Sequence, residues 1–379
     1  MFRSCTFPQR RRITIATARL RLFAGSSGIC LAALSLNLLV SAHAAAASAY
    51  VDGISDQSLP AWDGGFSGSY FAGRFHDMWV GSPPSHITLA RYVVQWNVMD
   101  GDYPRYRGEF EAWLADIASL GLTADVALSS YDGRYPSSQA EYQTRLEEVL
   151  NRAKELSHPV RYLEAWNEPN SQGNESAVKA AEFTNGAYAA CEHGYGCTVI
   201  AGNFEDNPKL PAYQEQYVKD LHPVPAIWGV HPYYSVEQES EEPFLTFREH
   251  LPNKGIGEQI WFTEIAARRC VDSGGRVVEN GEVGQAERAS WLVNTLMRNA
   301  RPEHVFYYEF LLKDRRQPSC QSEGADGALY LPSSDPNAPD RARAAASYIW
   351  DGEGASWGYT GSAFMANAAQ RILTGAVGF

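Results

Sequence analysis

Short apolar segments alternate with amphipathic helical segments along residues 50–350. The helical segments carry apolar residues three and four positions apart, as Phe110, Trp113, Leu114 and Ile117 do. The eight segments predicted as strands are Gly53–Ser55, Ile87–Gln95, Ala124–Leu128, Tyr162–Trp166, Thr198–Gly202, Ile227–His231, Ile260–Thr263 and Val305–Tyr308. This alternation predicts parallel strands with right-handed crossovers. Eight strands favour a closed (β/α)₈ TIM barrel over an open doubly wound sheet, and no Gly-x-Gly-x-x-Gly follows the first strand.

The fourth predicted strand runs into a carboxylate and then stops. Apolar and aromatic residues lead to Asn167, Glu168 and Pro169, and proline has no N–H with which to continue a central strand. Glu168 is therefore expected at the carboxyl end of a strand. Parallel α/β barrels carry their active sites at that end.

A second glutamate, Glu264, ends the seventh predicted strand. In a closed barrel of eight strands, the ends of the fourth and seventh strands face each other across the mouth. Hydrolysis of a glycosidic bond requires two such carboxyl groups, one to protonate the leaving oxygen and one to attack the anomeric carbon or activate water. A gap of about 5–5.5 Å gives retention of configuration and a wider gap gives inversion.

The motifs Trp166-Asn167-Glu168-Pro169 and Thr263-Glu264 resemble the retaining glycoside hydrolases of clan A, which include families 5 and 39. The Asn-Glu-Pro-Asn ending is more similar to family 39. The resemblance implies that Glu168 is the general acid/base and Glu264 the nucleophile. It also implies a carbohydrate substrate and a reaction that needs neither metal nor cofactor.

An arginine in an apolar strand is costly unless it is paired. Arg91 lies in such a strand, and the resemblance implies that it keeps Glu264 charged. The alternative is a structural ion pair with Glu164, which shares strand parity with Glu168. Asn167 is expected to bind the sugar 2-hydroxyl, or else to cap a turn before the proline.

Other candidate substrate-binding residues lie at further strand ends. The resemblance implies that His231 contacts sugar and that Tyr233 donates to the nucleophile, whereas ordinary aromatic packing is the alternative. Trp96, just after the second strand, is a candidate sugar platform. Tyr307 or Tyr308 stands where the clan often has tryptophan, with Tyr308 preferred.

Residues 1–44 have the pattern of a signal peptide. Six arginines and no acidic residue precede an apolar stretch and the small-x-small sequence Ala42-His43-Ala44. Removal would leave 379 − 44 = 335 residues with a net charge of about −12 − 6 = −18. Such a charge argues against nucleic acids and anionic membranes as partners. We therefore expect a secreted or periplasmic protein with a catalytic domain at 45–350 and a short C-terminal extension, 351–379, packed on the barrel.

Four cysteines remain after the leader, an even number that predicts two disulfides in an exported chain. Cys191–Cys197 and Cys270–Cys320 are the preferred pairs. No Cys-x-x-Cys or histidine cluster indicates a metal site. Two alternatives to hydrolysis stay open, a transglycosylase that uses the same residues and a carbohydrate-binding barrel without catalysis. The sequence does not predict the oligomeric state.

Overall fold

The computed structural model describes residues 51–55, 87–171, 176–272, 277–279, 281–308, 330–331 and 341–342. The predicted signal peptide, the tail at 351–379 and Cys320 lie outside these ranges, so the predictions made for them stay predictions.

Eight parallel strands close into a barrel, as predicted. They are β1 (Gly53–Ser55), β2 (Leu89–Gln95), β3 (Thr123–Ser129), β4 (Tyr162–Glu164), β5 (Thr198–Glu205), β6 (Ile227–His231), β7 (Gln259–Ile265) and β10 (Val305–Tyr307). Each strand pairs with its neighbours in chain order, and β10 pairs with both β7 and β1 to close the ring. Each of the eight predicted segments overlaps a barrel strand.

Helices surround the strands. They are α1 (Pro104–Ser119), α2 (Gln139–Glu155), α3 (Ala177–Ala190), α4 (Leu210–Lys219), α5 (Tyr233–Gln238), α6 (Glu242–Glu249), α7 (Gly281–Trp291) and α8 (Met297–Ala300). The apolar face predicted for α1 is buried: Phe110, Trp113, Leu114 and Ile117 all pack in the main core. The Ser138 side chain caps α2 by accepting from the backbone N–H of Glu141 at 3.2 Å.

The barrel interior is apolar at one level and charged at the next. A small inner cluster contains Leu89, Ile200, Trp261 and Phe306. Arg91 follows Leu89 by two residues on β2, so it lies on the same face and one layer nearer the carboxyl ends of the strands. The apolar layer thus supports a buried charge directly beneath the barrel mouth.

Two shorter ladders accompany the barrel, β8 (Cys270–Asp272) with β9 (Val277–Glu279) and β11 (Tyr330–Leu331) with β12 (Arg341–Ala342). The alanine-rich segment 339–349 is expected from its composition to form the last barrel helix. That expectation is wrong at Arg341–Ala342, because these two residues pair as an antiparallel strand; the rest of the segment lies outside the described residues.

The predicted disulfide Cys191–Cys197 is present and closes the turn after α3. The second predicted pair cannot be compared, since Cys320 lies outside the described residues. Within the described ranges, no helix has the length and hydropathy needed to cross a membrane.

Candidate active site

Arg91 is fully buried and binds carboxylates on two other strands. Its Nε and Nη2 donate to the two oxygens of Glu164 at 2.7 and 2.8 Å. Its Nη1 donates to Oε2 of Glu264 at 2.6 Å and to Oγ of Ser55 at 3.0 Å, and Nη2 also donates to Oδ1 of Asn167 at 2.6 Å. Burial alone would lower the pKa of Arg91, but the neighbouring carboxylates of Glu164 and Glu264 outweigh it and the pKa is raised. The two interpretations of Arg91 from the sequence therefore coexist in one side chain.

Both oxygens of Glu264 accept a hydrogen bond from a buried donor. Tyr233 Oη donates to Oε1 at 2.6 Å, while Arg91 binds Oε2. Tyr233 is the first residue of α5, directly after the end of β6, so the strand-to-helix turn fixes its position. The Glu264 side chain is only 9 % exposed. Because each oxygen of the carboxyl group is held by a separate hydrogen bond, the two donors fix the orientation of the Glu264 side chain.

Glu168 lies beyond the strand that was expected to hold it. β4 ends at Glu164, and Glu168 follows four residues later with a left-handed backbone, φ 45°. Its backbone N–H donates to the carbonyl oxygen of Asn203 at 3.1 Å. The Glu168 side chain is 20 % exposed, more than that of Glu264. A partly open carboxyl group is suited to meet a substrate atom and then water.

His231 contacts Glu168 rather than standing apart from it. Nδ1 of His231 lies 2.8 Å from Oε1 of Glu168. Burial lowers the pKa of His231 to about 4. The imidazole is therefore neutral at neutral pH, and the contact is a hydrogen bond between a neutral ring and a carboxyl group rather than an ion pair.

Glu168, His231 and Glu264 converge on one point. One donor atom from each lies within 4.8 Å of the other two, so an oxygen of Glu168 is no farther than that from an oxygen of Glu264. Among the described residues these three are the group whose atoms could hold a cation. The sequence analysis placed all three residues at strand ends, and the structure brings their side chains together.

The aromatic residues predicted to stack on the sugar differ in burial. Trp96 is 4 % exposed, and its Nε1 donates to the carbonyl oxygen of Arg134 at 2.8 Å. A buried ring offers little face to a sugar, so the structure does not support Trp96 as a platform. Tyr307 is buried and accepts a hydrogen bond from the backbone N–H of Ala267, whereas Tyr308 is only half-buried. Tyr308 remains the candidate of the two.

Arg268 follows the end of β7 by three residues and has a defined environment. Its guanidinium lies 4.1 Å from the centre of the Tyr233 ring and pairs with Glu237 at 3.1 Å. A cation over an aromatic face is attracted by the electron-rich ring. Arg268 therefore packs against the tyrosine that binds Glu264.

Two buried polar residues near the site were not identified from the sequence. Asp125 lies in β3 directly across from Arg91, and burial raises the pKa of its carboxyl group well above its usual range. An acidic residue in an apolar strand is the same signal that identified Arg91, so Asp125 could have been found. Asn203 gave no such signal, because its importance comes from a bulge in β5.

Solved structures share this architecture. An endo-β-1,6-glucanase superposes with a TM-score of 0.55 at 11 % identity, covering 81 % of this chain and 75 % of that one. A glycoside hydrolase family 30 subfamily 8 xylanase from Clostridium acetobutylicum gives 0.50 at 14 % identity, covering 80 % and 70 %. A β-glucuronidase from Ruminococcus gnavus gives 0.52 at 16 % identity, covering 80 % of this chain and 48 % of that one.

At such low identities these similarities show the fold, the closed (β/α)₈ barrel found in clan A glycoside hydrolases. No family model matches the chain, and no curated protein matches it by sequence.

Proposed function

We propose that the protein is an exported retaining glycoside hydrolase that cleaves O-glycosidic bonds of an oligo- or polysaccharide. The observation that carries the proposal is the approach of Glu168 and Glu264 to within 4.8 Å at the barrel mouth. Carboxyl groups that act by double displacement stand about 5–5.5 Å apart, whereas inversion needs about 6.5–9.5 Å to admit a water molecule between them. The short gap therefore supports retention.

In the first step, an oxygen of Glu264 attacks the anomeric carbon. The bond from that carbon to the leaving oxygen breaks, and Glu168 transfers its proton to the leaving oxygen. The product is a glycosyl ester on Glu264. In the second step, Glu168 accepts a proton from water as the water attacks the same carbon, which releases the sugar and restores both carboxyl groups.

The contacts of the two glutamates fit this division of roles. Arg91 and Tyr233 each bind one oxygen of Glu264 and hold it in a fixed orientation, as attack on one carbon atom requires. Glu168 is the more exposed of the two side chains. A group that alternates between proton donor and proton acceptor requires such access to both substrate and water.

The remaining candidates surround this pair. Asn167 is half-buried beside Arg91. We assign it a hydrogen bond to the sugar hydroxyl next to the reacting carbon. His231 supports Glu168, and Tyr308 stays a candidate platform. The acidic net charge of −12 favours a neutral carbohydrate over a polyanion. Export through the predicted leader agrees with the disulfide Cys191–Cys197.

The test is the variant Glu264→Ala assayed on a panel of aryl glycosides. We expect turnover to fall by about 10⁴-fold or more, since removing a catalytic nucleophile forfeits most of the rate enhancement. Glu215→Ala, which removes an exposed carboxylate on α4, serves as the matched control and should leave turnover unchanged. Turnover by Glu264→Ala equal to that of the unaltered protein would reject the assignment.

A further inference from the structure

Asn203 occupies a bulge in β5, the strand that pairs with β4 on one side and β6 on the other. The register of β5 against β6 shifts between Gly202 and Phe204, which leaves Asn203 as the extra residue. Its backbone is left-handed, φ 56°, and its side chain is fully buried. Asparagine tolerates this conformation better than most residues other than glycine.

The bulge turns three polar groups of Asn203 toward different partners. Its carbonyl oxygen accepts the backbone N–H of Glu168 at 3.1 Å. Its Oδ1 accepts from the Thr263 hydroxyl at 3.0 Å, and its Nδ2 donates to the Ile200 carbonyl oxygen at 3.2 Å. Thr263 immediately precedes Glu264. One buried residue therefore contacts the backbone of one glutamate and the neighbour of the other.

Gly229 on β6 makes room for this side chain. A methyl group built on Gly229 would lie 1.8 Å from Oδ1 of Asn203 and 2.9 Å from the Thr263 hydroxyl. No side chain tolerates such an approach, so the Asn203–Thr263 contact requires glycine at this position. The side chain of Asn203 thus passes from β5 over β6 to reach β7.

The left-handed backbone conformation of Glu168 requires a hydrogen-bond partner such as the carbonyl oxygen of Asn203. A left-handed conformation costs a non-glycine residue free energy and persists only where the surroundings hold it. The carbonyl oxygen of Asn203 binds the N–H of Glu168 itself, and a hydrogen bond to a fixed acceptor restrains the peptide that carries the side chain.

We propose that Asn203 is a positioning residue that sets the backbone of Glu168 relative to Glu264. The inference rests on the proposed function for its kinetic consequence, although the geometric claim stands apart from it. If the side-chain anchors to Thr263 and Ile200 are lost, the Asn203 carbonyl is no longer fixed. Glu168 is then displaced while Arg91 and Tyr233 still hold Glu264.

The first test is Asn203→Gly, which keeps the left-handed backbone accessible but removes both side-chain anchors. On a glycoside with a poor leaving group, which needs protonation by Glu168, we expect kcat/KM to fall by about 30-fold. On a dinitrophenyl glycoside kcat/KM should fall about threefold at most, and azide should restore part of any loss in kcat, since it replaces the water that Glu168 would activate in the second step. Equal losses on both substrates would overturn the proposal, because a smaller folded fraction or a damaged nucleophile affects both alike.

The second test uses Gly229→Ala, with Gly108→Ala as control because a methyl group on Gly108 meets no atom within 4 Å. We expect Gly229→Ala to show the same leaving-group dependence as Asn203→Gly. The double variant Asn203→Gly/Gly229→Ala lacks the oxygen that the new methyl group would meet at 1.8 Å and keeps only the approach to the Thr263 hydroxyl at 2.9 Å, so its loss should be well below the product of the two single losses. Losses that simply multiply in the double variant would contradict this.

A spectroscopic test separates the inference from the proposed function. The ring ¹⁵N signals of His231 report its contact with Glu168 Oε1. They should shift in Asn203→Gly and stay unchanged in Gly108→Ala. If the unaltered protein hydrolyses no glycoside, the proposed function fails, yet the signals still test positioning. Unchanged His231 signals in Asn203→Gly would overturn the positioning role whatever the activity.

Discussion

At the scale of single residues, two hydrogen-bond donors hold the side chain of Glu264. The Tyr233 hydroxyl and the Arg91 guanidinium each bind a separate oxygen at 2.6 Å. Charge-assisted hydrogen bonds of this length are among the stronger polar contacts in proteins. They fix the direction in which the carboxyl group points.

Tyr233→Phe removes one donor and leaves the ring in place. We expect kcat to fall by about 10- to 100-fold, because a hydrogen bond to a charged group contributes about 1.5–3 kcal/mol. The free energy of unfolding should fall by no more than about 1–3 kcal/mol, since the ring keeps its packing and its contact with Arg268 while Oε1 of Glu264 loses a buried donor. Steady-state kinetics and urea unfolding measure the two effects. An unchanged kcat would show that the hydroxyl has no role in the reaction.

The buried His231 predicts the direction in which the stability of the fold changes with pH. Its pKa is lowered by burial from 6.5 to about 4, so below pH 6.5 the unfolded chain takes up a proton that the folded protein does not. Stability from this group is therefore complete above pH 6.5 and is lost as pH falls to about 4. The loss amounts to about 3 kcal/mol.

The variant His231→Asn cannot take up that proton. Between pH 6.5 and 4 its free energy of unfolding should decline by about 3 kcal/mol less than that of the unaltered protein. Asp206, whose pKa is raised by burial to about 7, acts in the opposite direction but equally in both proteins. Urea unfolding at a series of pH values measures the difference. Parallel pH profiles would contradict a neutral buried imidazole.

At the scale of elements, alternation of apolar segments was sufficient to predict every barrel strand. Burial on both faces makes parallel strands nearly continuous apolar runs, which stand out from the amphipathic helices between them. Glu168 was expected at the carboxyl end of the fourth strand and lies four residues past it. The backbone leaves β4 after Glu164 and turns before it reaches Glu168.

Bulges account for what the pattern could not predict. The pairing of β7 with β10 shifts so that Thr263 and Glu264 lie opposite Phe306 alone. Strict alternation from inward-facing Trp261 would direct Glu264 away from the interior. The bulge breaks that alternation and allows Glu264 to reach Arg91. Such a shift depends on contacts between strands distant in sequence, as does the burial of the Trp96 ring.

The disulfide after α3 supplies a prediction at the element scale. Cys191 and Cys197 close a short loop, and removing such a crosslink enlarges the conformational freedom of the unfolded chain. The double variant Cys191→Ser/Cys197→Ser should lose about 2 kcal/mol of unfolding free energy while keeping kcat, since none of the catalytic contacts involves this turn. Denaturant titration and kinetics provide the check. A large loss of kcat at full folding would contradict the separation of this turn from the site.

At the scale of the whole molecule, Arg91 connects the two sides of the barrel. It lies on β2, binds Glu164 on β4 and reaches Glu264 on β7. An ion pair buried in this way is costly to break, because removing one partner leaves the other charges without compensation. Catalysis and the integrity of the barrel interior therefore share one side chain.

Arg91→Met keeps much of the volume and removes the charge. We expect the free energy of unfolding to fall by about 3–5 kcal/mol, since Glu164 and Glu264 lose their common partner. Turnover should fall by more than 100-fold in the fraction that remains folded. Arg91→Lys is the companion variant: it keeps the charge but cannot bind Glu164 through two nitrogens, so its losses should be smaller in both measurements. A stable and active Arg91→Met protein would contradict this account.

The stereochemistry of the first product tests the central claim most directly. Proton NMR of a hydrolysis in progress, on whichever aryl glycoside the protein cleaves, distinguishes the two anomers before they interconvert. The short gap between Glu168 and Glu264 predicts a first-formed sugar with the same anomeric configuration as the substrate. Formation of the opposite anomer would contradict double displacement and the role of Glu264 as nucleophile.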